Sequence, residues 1–146
     1  MSAHRFNSPD EAEEAFYQAF GRGDLDAMMA VWAPESTVSC IHPMGKVLRG
    51  EAQVREGWRQ LFNGGQRLHF RAERLAQHGT GDLAVHTVHE HIQLHGDSAA
   101  RPPIIATNIY KHTADGWRLI VHHASPSVID ARRREADEPE PKPALH

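Results

Sequence analysis

From residue 66 to residue 125 the chain carries four strand-like segments, and the breaks between them are too short to hold a crossover helix. The segments are 66–77, 83–95, 103–112 and 117–125. The breaks are His78-Gly-Thr-Gly-Asp82, residues 96–102 and Thr113-Ala-Asp-Gly116. Parallel neighbours need a connection of a dozen residues or more, so these segments are expected to pair as an antiparallel meander.

The first half reads differently. Ser8 at an N-cap, Pro9 at the first helical position and Glu11 three residues after the cap spell a helix start. Ala12, Ala15, Phe16, Ala19 and Phe20 continue it at helical spacing, and Gly21 and Gly23 stop it. Asp24 caps a second helix reaching about Trp32, with Leu25, Met28, Met29 and Trp32 on one face before Pro34. Residues 37–41 are strand-like, and a third helix after Gly50 carries Val54, Trp58, Leu61 and Phe62. Helices first and long strands after predict an α+β domain, three N-terminal helices packed on one face of a strongly curved, mostly antiparallel sheet. The domain is expected over residues 1–128. Residues 129–146 read as a charged, proline-rich mobile tail that cannot repay its ordering entropy.

With 146 residues there is enough chain to bury a core. A net charge of -3 gives no electrostatic grip on nucleic acid. The single cysteine, Cys40, excludes an internal disulfide and reads as a buried apolar residue in a reducing compartment. No apolar run approaches the ~20 residues of a membrane span, and the polar, acidic N-terminal stretch does not read as a signal peptide. Together these predict a cytoplasmic protein without membrane or nucleic-acid partners. Phosphate loops, nucleophile elbows and dinucleotide fingerprints are absent, so no cofactor is expected.

Among the 12 histidines, His42 ends a strand beside the turn His42-Pro-Met-Gly45, a bend fixed by Pro43 and released by Gly45. An imidazole there can act as a base near neutral pH. His89 and His91 face the same way on one strand and could seed a metal site. A third ligand would have to come from Glu90, His122 or His123, and no Cys or carboxylate-rich motif supports one, so no metal is expected. A histidine-rich outer sheet face at a homodimer interface is the simpler reading.

The order of landmarks carries a resemblance. Gly23-Asp-Leu-Asp-Ala27, His42-Pro-Met-Gly45, Leu48-Arg-Gly50 before a helix with Trp58, Thr107-Asn-Ile-Tyr110 and Asp115-Gly-Trp-Arg-Leu-Ile-Val-His-His-Ala-Ser125 are similar to the nuclear transport factor 2-like superfamily, particularly its SnoaL-like branch. The last stretch also resembles the calcium/calmodulin-dependent protein kinase II association domain. The resemblance implies a cone-shaped, cystatin-like roll that dimerises through its sheet. Ketosteroid isomerases of this fold use a tyrosine, a protonated aspartic acid and an aspartate base. Their positions fall on Phe16, Asn108 and His42, and Trp58 stands for a supporting tyrosine, so ketosteroid isomerisation is not implied.

The resemblance does imply a pocket in the cone, with His42 as base and Asn108 as a donor to a carbonyl oxygen. Phe16, Phe20, Trp32, Trp58, Glu90, Val121, His123 and Ser125 are its expected lining. Val121, His123 and Ser125 share one strand face, and Glu90 is expected inward to orient an imidazole. Two functions follow from different classes. One is an isomerase, dehydratase or cyclase acting on a small, largely apolar carbonyl compound. The other is a non-catalytic ligand-binding or assembly domain.

Overall fold

The computed structural model of the chain describes residues 5–65, 68–94 and 101–128. Helix α1 spans Pro9–Arg22: the Ser8 hydroxyl accepts from the Glu11 amide at 3.1 Å, and the Glu11 carboxylate accepts from the Asn7 amide at 2.9 Å. Gly23, at φ 66°, closes it in the left-handed region that glycine adopts without strain. Asp24 then accepts from the Ala27 amide at 3.0 Å and opens α2, Leu25–Val31. Strands β1 (Ser39–Ile41) and β2 (Val47–Arg49) form a small hairpin, and α3 follows over Gly50–Phe62. The second half supplies β3 (Leu68–Thr80), β4 (Leu83–Leu94), β5 (Ile104–Thr113) and β6 (Gly116–Pro126).

The six strands form one sheet in the order β2-β1-β6-β5-β4-β3. Among the described strands every pair is antiparallel except β1 on β6, and parallel bridges from Phe6 to Gly116 and from Trp32 to Leu119 also stitch the first half to β6. This is the α+β cystatin-like roll expected from the element order. The core lies between helices and sheet: Phe16, Met28, Val54, Trp58, Val88, Tyr110 and Leu119 are all fully buried. Phe16, Phe20 and Trp58 meet edge to face, with ring centroids 4.8–6.0 Å apart. Burying each such side chain contributes roughly 1.5–3 kcal/mol. Gly116 serves the close approach of the N-terminal segment: its φ is +97°, and a Cβ there would sit 2.7 Å from the Phe6 carbonyl oxygen.

Three sequence expectations are corrected here. Strand β2 was read only as a lead into α3, because three residues with an exposed Val47 carry no alternation signal. In α3, Val54 and Trp58 are buried, but Leu61 is 47% exposed and leaves the core stripe. On β6, His122 and Ala124 point inward, whereas His123 and Ser125 are exposed and Val121 is half-buried. The cause is a bulge. Ile109 pairs with Val121 but Tyr110 pairs with Leu119, so Ile120 is an extra residue that flips every later side chain. The expected tail from residue 129 and most of the expected break at 96–102 lie outside the described residues.

Candidate functional site

Seven buried polar side chains from α1, β4, β5 and β6 meet beneath α1, and an eighth from β3, Arg74, joins them at the rim. Their hub is Glu13, 5% exposed, on the face of α1 next to the apolar stripe. Its Oε1 accepts from Arg74 Nε at 3.2 Å and Nη2 at 2.8 Å. Its Oε2 accepts from Tyr110 Oη at 2.9 Å, His86 Nδ1 at 3.0 Å and Asn108 Nδ2 at 3.3 Å. Burial alone would raise this carboxyl, but the bonds from His86, Arg74 and Tyr110 outweigh it and hold the pKa at about 2. Glu13 is therefore ionised throughout the physiological range.

Glu90 is its opposite. It faces inward on β4 as expected, 2% exposed, and Tyr17 Oη donates to its Oε2 at 2.7 Å. Burial raises its pKa to about 7 against the opposing effect of that bond, and the nearby Glu13 charge pushes the same way. One fold thus holds one carboxyl charged and a second near its titration point, the kind of split that separates acid from base roles.

Asn108 and His122 complete the chain of bonds. His122 Nδ1–H donates to Asn108 Oδ1 at 2.6 Å, and Asn108 Nδ2 donates to Tyr17 Oη at 3.0 Å as well as to Glu13. Burial, then the neighbouring His42 and His123, lower the His122 pKa to about 3, so its ring is neutral. Both amide protons and the amide oxygen of Asn108 are engaged inside the fold, which leaves it no proton for a substrate carbonyl as packed. Burial raises the Tyr17 and Tyr110 phenols.

His42 stands apart from this chain. It is half-buried against Trp58, with ring centroids 4.6 Å apart and planes at 90°; Cys40 Sγ lies 3.8 Å from its Nε2. Burial lowers its pKa and raises that of the Cys40 thiol. The His42 and His122 rings are 6.4 Å apart, so His122 separates His42 from Asn108. The turn that places His42 is built differently from the expectation. Gly45 N donates to His42 O at 2.8 Å, Pro43 takes the second position, and the positive φ of 67° falls on Met44 rather than Gly45.

The remaining expected lining divides into core and outer surface. Phe16, Phe20, Trp32 and Trp58 are 0–8% exposed and belong to the core cluster. The buried indole N–H groups of Trp32 and Trp58 have no partner among the described residues. Val121, His123 and Ser125 belong to the other sheet face. Sequence reasoning missed Glu13, Tyr17, His86, Tyr110 and His122. Glu13 and Tyr17 flank the apolar helix positions and fall within a turn of Phe16 and Phe20, which was the available signal.

Open space lies beside the cluster. Between α1 and β3 runs a groove of about 630 Å³, lined by Glu13, Tyr17 and Arg22 on the helix and by Leu68, Phe70 and Arg74 on the strand. The Tyr17 and Phe70 rings, 5.8 Å apart and tilted by 44°, form its aromatic part. Its volume falls within the ~300–1,000 Å³ usual for small-molecule sites.

Sequence comparison matches residues 10–129 to the SnoaL-like domain family. The chain belongs to this family. Among solved structures, this SnoaL-like domain is similar to a candidate calcium/calmodulin-dependent protein kinase type II association domain from Thiobacillus denitrificans. The identity is 42%, the TM-score 0.82, and the match covers 86% of this chain and 99% of that one. It is also similar to a candidate dehydratase of the nuclear transport factor 2-like family from Streptomyces avermitilis, 32% identical with TM-score 0.73 over 81% and 92% of the two chains. A cystatin-like protein from Nostoc punctiforme, 18% identical with TM-score 0.68 over 87% and 80% of the chains, shares the fold. The F-box protein SKIP8 of Arabidopsis thaliana is 27% identical over 106 residues, 73% of this chain and 44% of that protein. The chain therefore spans less than half the length of that relative. No helix among the described residues is long and apolar enough to cross a membrane.

Proposed function

We propose that this SnoaL-like domain binds a small, largely apolar molecule, and that the molecule lies in the α1–β3 groove. The observation that carries this reading is the groove itself, an open space of about 630 Å³ beside the buried polar cluster. Tyr17 and Phe70 offer an apolar platform, and the rigid Glu13–Arg74 pair fixes the polar edge. A site whose polar groups are already locked by their own bonds loses little entropy when it binds. The test is to fill the groove: Ala72 lines it and is exposed, so Ala72→Trp blocks it without touching the core. Binding of small apolar carbonyl compounds, measured by calorimetry, is expected in the wild type and lost in Ala72→Trp.

A second reading, proton-transfer catalysis of the isomerase or dehydratase type, is favoured by Glu90. A carboxyl near its titration point, bonded to a phenol, is equipped to donate or accept a proton at neutral pH. The candidate dehydratase among the relatives supports this class. Under it, Glu90→Gln abolishes turnover of a bound compound while leaving its affinity within a few-fold; His42→Ala tests the imidazole as base in the same assay. The 42% identical association domain supports assembly instead. Val85, Ile109 and Val121 stand side by side in register and half-exposed on the outer sheet face, where a second copy of the chain would cover them.

A further inference from the structure

On the outer sheet face, two imidazoles and one carboxylate converge across β3 and β4. Glu73 is paired in register with His89, and His91 lies one same-face position along β4. His91 Nε2 is 2.8 Å and His89 Nδ1 3.8 Å from the same oxygen, Glu73 Oε1. One ligand atom from each residue fits within a sphere of contacts no longer than 4.8 Å. The His-x-His spacing marks two of these donors in the sequence. The third comes from the neighbouring strand, where only the register reveals it.

We propose that Glu73, His89 and His91 form a binding site for a divalent transition-metal ion of the Zn²⁺ class. Imidazole and carboxylate donors suit zinc, nickel, copper or cobalt, whereas calcium and magnesium require oxygen ligands throughout. Tetrahedral zinc with bonds of ~2.0–2.1 Å sets its donor atoms about 3.3 Å apart. The His91–Glu73 contact must open by about half an ångström and the His89–Glu73 contact close by as much. Side-chain rotation supplies both, because Glu73 is half-exposed and the two rings are roughly 30% exposed. Three protein donors leave one position for water. Arg71, opposite His91 in the ladder, adds a positive charge on the same face and weakens the site without occupying it.

The test is titration of the full, untagged chain with Zn²⁺ by calorimetry, alongside Co²⁺ followed by its visible spectrum. One site per chain is expected, with a tetrahedral Co²⁺ absorption band. Glu73→Gln and His91→Asn are each expected to weaken Zn²⁺ by more than the roughly 10–100-fold that loss of a merely orienting partner costs. Arg71→Gln should tighten it. Both ligand variants are surface changes, and circular dichroism verifies their fold. Variants that bind Zn²⁺ like the wild type would assign the ion to other histidines. An octahedral Co²⁺ spectrum, or none, would reduce the cluster to a hydrogen-bonded ion pair. Either result overturns the proposal.

Discussion

The Tyr17 hydroxyl lies 2.7 Å from Glu90, and the Asn108 amide donates to that same hydroxyl from 3.0 Å. A phenol from the first helix and a carboxyl from the fourth strand thus meet in a buried interior, while a second carboxyl, Glu13, takes up the cluster's charge. The pair was hidden from landmark alignment, which put Phe16 at the phenol position and Asn108 at the acid position. The phenol is displaced by one residue along α1, and the acid is on β4.

Glu90 makes stability depend on pH in a direction opposite to most carboxylates. Its pKa is raised from 4.5 to about 7 in the fold, so its contribution is complete below 4.5 and is lost as pH rises through 7. A displacement of that size corresponds to about 3 kcal/mol. Glu90→Gln, which cannot ionise, should match the wild type near pH 5 and exceed it in stability at pH 8. Urea unfolding at the two pH values checks this; a variant equally destabilised at both would show that Glu90 is charged in the fold.

Glu13 carries the opposite sign. Its pKa is depressed from 4.5 to about 2, so its stabilisation is present above 4.5 and fades as pH falls towards 2. Glu13→Gln removes the charge shared by His86, Tyr110, Asn108 and one side of Arg74, and should cost roughly 3–5 kcal/mol at pH 7, as breaking a buried ion pair does. Tyr17→Phe removes one hydroxyl and should cost only ~1–3 kcal/mol. The order of the two midpoints in denaturant decides whether Glu13 is the hub.

Much of this architecture was legible, and the exceptions have physical causes. Ser8, Pro9 and Glu11 announced α1, and the turns at Gly79–Gly81 and Asp115–Gly116 announced the meander, because capping and turn chemistry are local. The facing of β6 was not legible: the bulge at Ile120 inverts the alternation, and nothing in the residues on either side announces it. The polar cluster was half legible. Glu90 came from strand alternation and Asn108 from the family resemblance, but Glu13, His86 and Tyr110 acquire their role only when β4 and β5 pair beneath α1. The metal-binding triad depends likewise on strand register.

The His42 turn stores strain at a replaceable residue. Met44 is 91% exposed and sits at φ 67°, a region that costs an L-residue roughly 1–2 kcal/mol. Met44→Gly should therefore stabilise the protein by up to ~1 kcal/mol after the entropy of glycine is deducted. No change in melting temperature would indicate that the turn relaxes in solution.

Sedimentation tests the proposed dimer. The outer-face row Val85–Ile109–Val121 should hold two copies together at micromolar concentration, burying more than ~1,200 Å² in total. Ile109→Asp should release monomers of 16.4 kDa with the helical signal unchanged. A monomeric wild type would remove the assembly reading.

The most direct test of the ligand site is the melting temperature of the wild type and of Ala72→Trp across a panel of small apolar carbonyl compounds. A compound that binds the folded state raises the midpoint in proportion to the logarithm of its concentration. The groove account predicts such shifts for the wild type and none for Ala72→Trp, with the unliganded midpoints alike. Equal shifts in both proteins would place the ligand elsewhere, and a panel without any shift would contradict a small-molecule role.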